Sequence, residues 1–248
     1  MLLGVRVHHV TMSETVAIVR RLLTSGSCHQ IVTINGAMLV RAARDERLRR
    51  VVNGASLTTA DGVGVVLAGR ILRRAPFERV AGVDLVDRLC ALCAQNGCRV
   101  YLLGALPGVS DAAAKTLRVR HPGLNICGVQ HGYFERSQEA GVIQRIGAER
   151  PHLLLVALGS PRQEEWIASH RESLGAAVCV GVGGTFDVLA SRVRRAPYWM
   201  QRGGLEWAYR LLQEPWRWRV IATFPVLVWL ALKERVADER KRLRDRGY

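Results

Sequence analysis

Asp61 sits in a stretch suited to chemistry. Residues 58–70 read Thr-Thr-Ala-Asp-Gly-Val-Gly-Val-Val-Leu-Ala-Gly-Arg. This is the pattern of a buried strand end, a tight turn at Asp61-Gly62 and a helix start. In an open α/β sheet, ligands bind where strand ends meet helix starts. A carboxylate at that point can take a proton from a substrate hydroxyl. The spacing therefore predicts Asp61 as a catalytic base, with the rest of the chain arranging two substrates around it. An Asp before Gly can equally serve as a helix N-cap, accepting hydrogen bonds from the first free N–H groups.

Other polar or glycine-bearing turns fall at the ends of apolar runs. Thr33 and Asn35 alternate with Val32 and Ile34, so they share one face near a strand end, as ligands or as local turn-makers. Gly104 opens a strand–turn–helix junction whose backbone N–H groups form a natural diphosphate seat. Residues 159–166 bring Gln163 to a turn with Pro161 near the helix start. Gly183 and Gly184 let a ligand or another backbone approach closely. Arg79, alone before a glycine turn, reads by itself as a solvated side chain.

These junctions need a scaffold, and the pattern predicts one. Apolar strands are expected over residues 5–10, 30–35, 55–60, 99–103, 124–134, 153–158 and 176–182. Helical periodicity lies between them, including residues 13–25 with a Ser13 cap and residues 85–95 with an Asp84 cap. The continuous run 153–158 suits a central parallel strand. The alternation implies βαβ units, hence an α/β, Rossmann-like, doubly wound and mostly parallel sheet. This body spans residues 1–191.

Residues 192–248 read as a separate basic, Trp-rich helical appendage. They hold 14 basic and 6 acidic side chains, a net of +8 out of +15 for the 248-residue chain. Trp199, Trp207, Trp216 and Trp218 lead into an apolar run, 220–232, interrupted by Pro225, and then a charged tail over 233–246. Indoles and arginines beside an apolar segment suit an anionic membrane surface. The same pattern would also dock a helix onto the body. The apolar run is too short to span a bilayer, and the N-terminus lacks a signal-peptide pattern.

Nearly all the basic residues are Arg, whose planar fork suits phosphates. Cys90 and Cys93 have C-x-x-C spacing without a second pair or a nearby His, so the six cysteines are expected to be reduced and largely buried. The missing G-x-G-x-x-G speaks against the rival reading, a nicotinamide-dependent oxidoreductase. A basic membrane or nucleic-acid adaptor is the non-enzymatic rival. Polar groups at several strand ends favour an enzyme, with no nucleic-acid partner.

Several motifs together resemble the WecG/TagA/CpsF glycosyltransferase family. They are Thr33-Ile34-Asn35, Ala60-Asp61-Gly62, Arg79-Val80-Ala81-Gly82-Val83-Asp84-Leu85, and Gly159-Ser160-Pro161-Arg162-Gln163-Glu164. Gly181-Val182-Gly183-Gly184-Thr185-Phe186-Asp187, Arg195-Ala196-Pro197, Leu205-Glu206-Trp207 and Glu214-Pro215 follow in order. The resemblance covers about residues 5 to 220. It implies an inverting transferase, peripheral on the cytoplasmic face of a bacterial membrane. Such an enzyme moves a sugar from a UDP-sugar to a polyprenyl-diphosphate-linked saccharide, and a homo-oligomer is compatible with that role.

Carried over, Asp61 is the general base, and Thr33, Asn35, Arg79 and Gln163 line the pocket around it. Tyr133 and Asp187 lie near the uridine, and Arg210 and Arg217 reach toward the acceptor diphosphate. The family pattern would place a basic residue near position 220, where this chain has Val220, so Arg219 takes that place. Many sugar transferases hold a metal through Asp-x-Asp. None occurs here, so arginines and helix N-termini are expected to carry the diphosphate charge, with no metal and no cofactor.

Overall fold

The computed structural model describes residues 1–74 and 77–245; Arg246, the end of the expected charged tail, lies outside them. The chain begins α1 (Met12–Leu22), β1 (His29–Ile34), α2 (Gly36–Arg44), α3 (Glu46–Asn53), β2 (Leu57–Ala60), α4 (Val63–Ile71) and α5 (Gly82–Gln95). It continues β3 (Arg99–Gly104), α6 (Val109–Arg120), β4 (Asn125–Gln130), α7 (Glu139–Glu149), β5 (Leu153–Ala157), α8 (Arg162–His170), β6 (Val178–Gly181) and α9 (Thr185–Leu189). Four further helices follow: α10 (Tyr198–Arg202), α11 (Glu206–Gln213), α12 (Trp218–Ile221) and α13 (Thr223–Asp245).

The strands form one six-stranded sheet in the order β2-β1-β6-β5-β3-β4, with every neighbouring pair parallel. β5 is internal and buried along its length, as its unbroken apolar run predicts. Side chains alternate between the two faces. Ile31, Leu57, Leu102, Leu155 and Val180 meet the helices of one face, chiefly α1, α5, α6 and α9. Val32, Ile34 and Ala60 meet α2, α3, α4 and α13 on the other face, where Leu103, Val156 and Cys179 pack with α7 and α8.

This layering places a crevice. β1 is followed by α2 on one face, while its neighbour β6 is followed by α9 on the opposite face. Adjacent strands whose connections diverge in this way open a cleft beyond their carboxyl ends. Asp61 follows β2, next to β1, so it borders that cleft.

Four local expectations differ from the structure. Residues 5–10 form no strand; besides an isolated bridge, Leu2 to Val5, the segment meets β2 where the His8 N–H donates to the Thr58 carbonyl at 2.8 Å. Thr11, not Ser13, caps α1, in a reciprocal capping box with Glu14. α5 starts three residues before Leu85, with Ala81 at its cap, which frees Asp84 for a distant partner. The fourth strand stops at Gln130, and the chain then crosses to the end of β3, where the Gly132 N–H donates to the Ala105 carbonyl at 2.9 Å.

The last helix is part of this packing. Leu227 and Ala231 of α13 are buried in the cluster formed by α2 and α4. Close approach there depends on Gly36 and Gly64, since a Cβ on either would lie 3.1–3.2 Å from the Leu227 side chain. Among the described residues, no helix is long and apolar enough to cross a membrane.

Candidate active site

The β1–β6 seam carries the first polar group. The Thr33 hydroxyl donates to the Gly181 carbonyl across it at 3.1 Å. One strand over, the Asp61 N–H donates to the Ile34 carbonyl at 2.8 Å, which fixes the base of its side chain. The segment leading to α5 crosses the same lip, where the Val80 N–H donates to the Ala60 carbonyl. Gly82 lies among these groups. A Cβ built there would be 3.5 Å from Asp61 Oδ2 and 3.8 Å from the hydroxyl oxygens of both Thr33 and Thr185. A carboxylate and two hydroxyls therefore converge around Gly82.

Asp61 does not cap α4. The N-cap is Gly62, at φ +96°, and no side chain bonds to the helix start there. The carboxyl is thus not consumed by the helix. Although the residue keeps some surface, burial of the carboxyl dominates and pushes its pKa up to about 6. Arg79 pulls against that rise, Glu206 adds to it, and the Gly82 N–H and Arg210 lower it. A carboxylate so poised suits a general base near neutral pH.

Arg79 is not a solvated side chain. Its Nη2 donates to Glu206 Oε2 at 2.6 Å and its Nη1 to the Gln201 carbonyl at 3.2 Å. Glu206 also lies 3.7 Å from Arg195 Nε, and Arg195 grips Asp84 through two bonds of 2.6 Å. This network ties α10 and α11 to the body beside Asp61. It occupies Arg79 with Glu206, which keeps the strongest nearby cation from pairing fully with the base. Glu206→Gln is therefore expected to turn Arg79 toward Asp61 and lower the acid limb of the pH–rate profile by about one unit. An unmoved limb would show that Glu206 has no hold on the base.

Asn35 is the N-cap of α2; its Oδ1 accepts from the Met38 N–H at 3.0 Å, the turn-making alternative in action. Gln163 is buried with both ends of its amide engaged. Its Oε1 accepts from the Gly183 N–H at 3.0 Å and its Nε2 donates to Glu164 Oε1 at 2.7 Å. It therefore shapes the Gly183–Gly184 turn. Above that turn lies Arg210. A Cβ on Gly184 would be 3.1 Å from Arg210 Nη2 and 3.8 Å from Asp187 Oδ2.

Arg210 and Arg217 share one counter-ion, Glu214 Oε2, at 3.3 and 3.5 Å. Burial and the Arg210 charge both lower the pKa of Arg217. The pair thus has more positive charge than Glu214 neutralises. Arg219 is placed apart, over the Trp218 ring at 5.9 Å.

Gly104 and Tyr133 lie at the other end of the lip. Gly104 has φ +128°, and a Cβ there would collide with the Ala157 carbonyl, so the turn requires glycine. The Ser110 hydroxyl donates to the Gly104 carbonyl and closes the turn. The loop after β4 packs onto it, since a Cβ on Gly132 would be 3.0 Å from Gly104 Cα. Tyr133 extends from that loop, 67% exposed.

The structure thus joins Thr33, Asp61, Arg79 and Arg210 at one end of the cleft and Gly104 and Tyr133 at the other. Sequence reasoning passed over Thr185 and Gly82, and gave no role to Glu206. Glu206 meets Arg79 across 127 residues, which no local pattern reports. Its only signal was its place in the Leu205-Glu206-Trp207 motif.

Comparison with known proteins agrees with this arrangement. The family model for the glycosyl transferase WecG/TagA/CpsF family matches residues 1–241. A Bacillus spizizenii protein named N-acetylglucosaminyldiphosphoundecaprenol N-acetyl-beta-D-mannosaminyltransferase is 36% identical over 210 residues, 85% of this chain and 81% of its own. Proteins of the same name from Bacillus subtilis and Staphylococcus aureus are 33% and 32% identical. The matches cover 82% and 94% of this chain, and 79% and 91% of theirs. With a cleft of this kind and similarity along nearly its whole length, the chain is a glycosyltransferase and belongs to the WecG/TagA/CpsF family.

Proposed function

We propose that this chain is an inverting transferase that moves an N-acetylmannosamine-type sugar from a UDP donor to a polyprenyl-diphosphate-linked N-acetylglucosamine. UDP-linked mannosaminuronic acid and UDP-glucose are the other donors to compare. The observation that carries the reading is a buried carboxyl, Asp61, within the field of Arg79 and Arg210 beside the switch point of a parallel sheet. The relatives' names supply the sugar and the lipid.

The acceptor hydroxyl attacks the anomeric carbon in line with the departing UDP. As the new C–O bond forms, the hydroxyl proton passes to Asp61, and the bond to UDP breaks with its electron pair on the diphosphate. Thr33 and Thr185 hydroxyls orient the acceptor sugar. The Gly104 turn and Tyr133 receive the nucleotide, while Asp187, beside Gly184 and Arg210, faces the other end of the cleft. Arg210 and Arg217 hold the acceptor diphosphate, whose bidentate recognition suits guanidinium. The test is transfer from a panel of UDP-sugars to a polyprenyl-diphosphate-linked N-acetylglucosamine, with and without a chelator. One donor should be strongly preferred, the product anomer should be inverted, and chelation should leave the rate unchanged. A retained anomer or no transfer with any donor would sink the reading.

The lipid end of the reaction belongs to residues 192–248, which we propose rest on the cytoplasmic leaflet. Tyr198, Trp199, Trp216, Trp218 and Trp229 are all more than half exposed, a concentration of aromatic surface that water alone does not favour. Arg202, Arg219 and Lys233 lie over the rings of Tyr198, Trp218 and Trp229. Such cation-flanked rings suit an anionic headgroup layer. Because Leu227 and Ala231 are core residues, removing the whole segment would damage the body, and point changes make the cleaner test. Trp199→Ala with Trp216→Ala is expected to weaken binding to vesicles rich in anionic lipid by about tenfold or more, from lost apolar burial. UDP binding should be unaffected. Vesicle binding equal to wild type would remove the membrane from this account.

A further inference from the structure

Beneath the glycine turn lies an acid that none of these roles uses. Glu164 is 1% exposed. Its Oε1 accepts from Gln163 Nε2 at 2.7 Å, while its Oε2 is buried with no hydrogen-bond partner. A Cβ on Gly181 would lie 2.6 Å from Gln163 Nε2 and 2.7 Å from Glu164 Oε1, so both side chains lie directly against the β6 backbone.

Among the described residues, no cation compensates this carboxyl. From β1 comes only the Gln30 amide, which donates to the Glu164 carbonyl oxygen, not to its side chain. From its own helix comes Glu165, a like charge, and from the preceding turn the Ser160 hydroxyl. Among the described residues, α3, which packs on α8, brings no charge to bear on it. An isolated buried carboxylate is far costlier than the neutral acid.

We propose that Glu164 is a positioning residue that works uncharged, locking the Gln163 amide so that its oxygen holds the Gly183 N–H and fixes the turn beneath Arg210. An amide left to itself can flip and present its NH₂ group to Gly183, where two donors would meet. The carbonyl oxygen of the Glu164 carboxyl, Oε1, holds Nε2, so both ends of the amide are satisfied in this orientation, whereas the flipped amide would still set two donors together at Gly183. The order of contacts runs Glu164, Gln163, Gly183, then Gly184 with Arg210 3.1 Å from where a Cβ would stand. Burial also pushes the Glu164 pKa up to about 7, consistent with a neutral acid below that pH. The folded protein then holds this proton more tightly than the unfolded chain. The resulting stabilisation is complete below the ordinary carboxyl range and is lost as pH rises through about 7.

The role in turnover rests on the transferase reading, whereas the relay itself does not, and the test separates them. Full-length wild type, Glu164→Gln and Glu164→Ala are compared by hydrogen exchange at the Gly183 amide, by thermal unfolding from pH 5 to 8, and by sugar transfer. Gln keeps an acceptor oxygen in the same place, so Glu164→Gln should match wild type in Gly183 protection and stay within about threefold in turnover. It should also lose less stability than wild type between pH 5 and 8. Glu164→Ala should exchange Gly183 at least tenfold faster and turn over at least tenfold more slowly. Should the Ala variant not fold, Gly181→Ala probes the same contact from the strand side and should show the same loosening.

Unchanged Gly183 exchange in Glu164→Ala or Gly181→Ala would overturn the proposal. So would a Gln variant as impaired as the Ala variant, or one whose stability falls with pH just as wild type does. If exchange behaves as stated while no variant, wild type included, transfers any sugar, the relay stands and the transferase reading is what failed.

Discussion

Asp61→Asn is expected to reduce turnover by at least about 100-fold, the scale of a lost general base. Asn fills the same space and keeps the hydrogen bonds that position it, so UDP affinity should change little. The pH dependence makes the assignment specific. With its pKa near 6, Asp61 is protonated and idle at pH 5, and wild-type kcat/KM should fall about tenfold per unit below that value. The Asn variant has nothing to titrate there, so its residual rate should be flat through the same range.

Stability should move the opposite way. The folded state holds the Asp61 proton more tightly than the unfolded chain. Its contribution is therefore present at low pH and lost as pH rises through about 6. Asn removes that loss and should make the protein more stable at pH 7 by up to about 3 kcal/mol, with no gain below about pH 4. A variant that is slower and yet more stable fits a site where function is maintained against folding. Unchanged turnover would reduce Asp61 to a buried acid with no part in the reaction.

Most of the sheet was legible because its strands other than β4 are buried along most of their length. Leu153 to Ala157 is apolar without interruption, the pattern of a strand covered on both faces in a parallel sheet. The segment 5–10, Val-Arg-Val-His-His-Val, lies beside the edge strand β2, where the His8 N–H donates to the Thr58 carbonyl, but it extends into no ladder. Local alternation does not tell a paired strand from a segment held to the sheet by so few bonds. Asp61 was legible as a candidate because strand-end turns are local. Its freedom from capping was not, since that depends on Gly62 adopting φ +96° and leaving the helix start without a side-chain cap. Arg79 looked unremarkable for a similar reason. Its importance comes from Glu206, which reaches it only when α11 folds back across the body. Local pattern locates the lip of the sheet, and long-range ion pairs decide which charges at that lip are free.

That distinction bears on the arginines, where Arg210→Ala should have the larger effect and Arg219→Ala a small one. Arg210 stands over Gly184 and adds to the field at Asp61, whereas Arg219 rests on an exposed indole. Arg210 and Arg217 hold two positive charges against one Glu214 carboxylate, and burial makes that crowding costly. A diphosphate entering between them relieves the repulsion and gains two charge-assisted contacts. Truncating one member of a buried, charged contact costs about 2–5 kcal/mol, and this half-buried pair belongs toward the lower end of that range. Arg210→Ala should therefore lower kcat/KM for the lipid-linked acceptor by about 100-fold, chiefly through the acceptor KM, with UDP binding in the absence of acceptor preserved. Arg219→Ala should stay within about threefold in solution assays, because an exposed cation is screened. If instead kcat falls with the acceptor KM unchanged, Arg210 serves the departing UDP. Equal losses in the two variants would mean that distance from Gly184 does not set the role of these arginines.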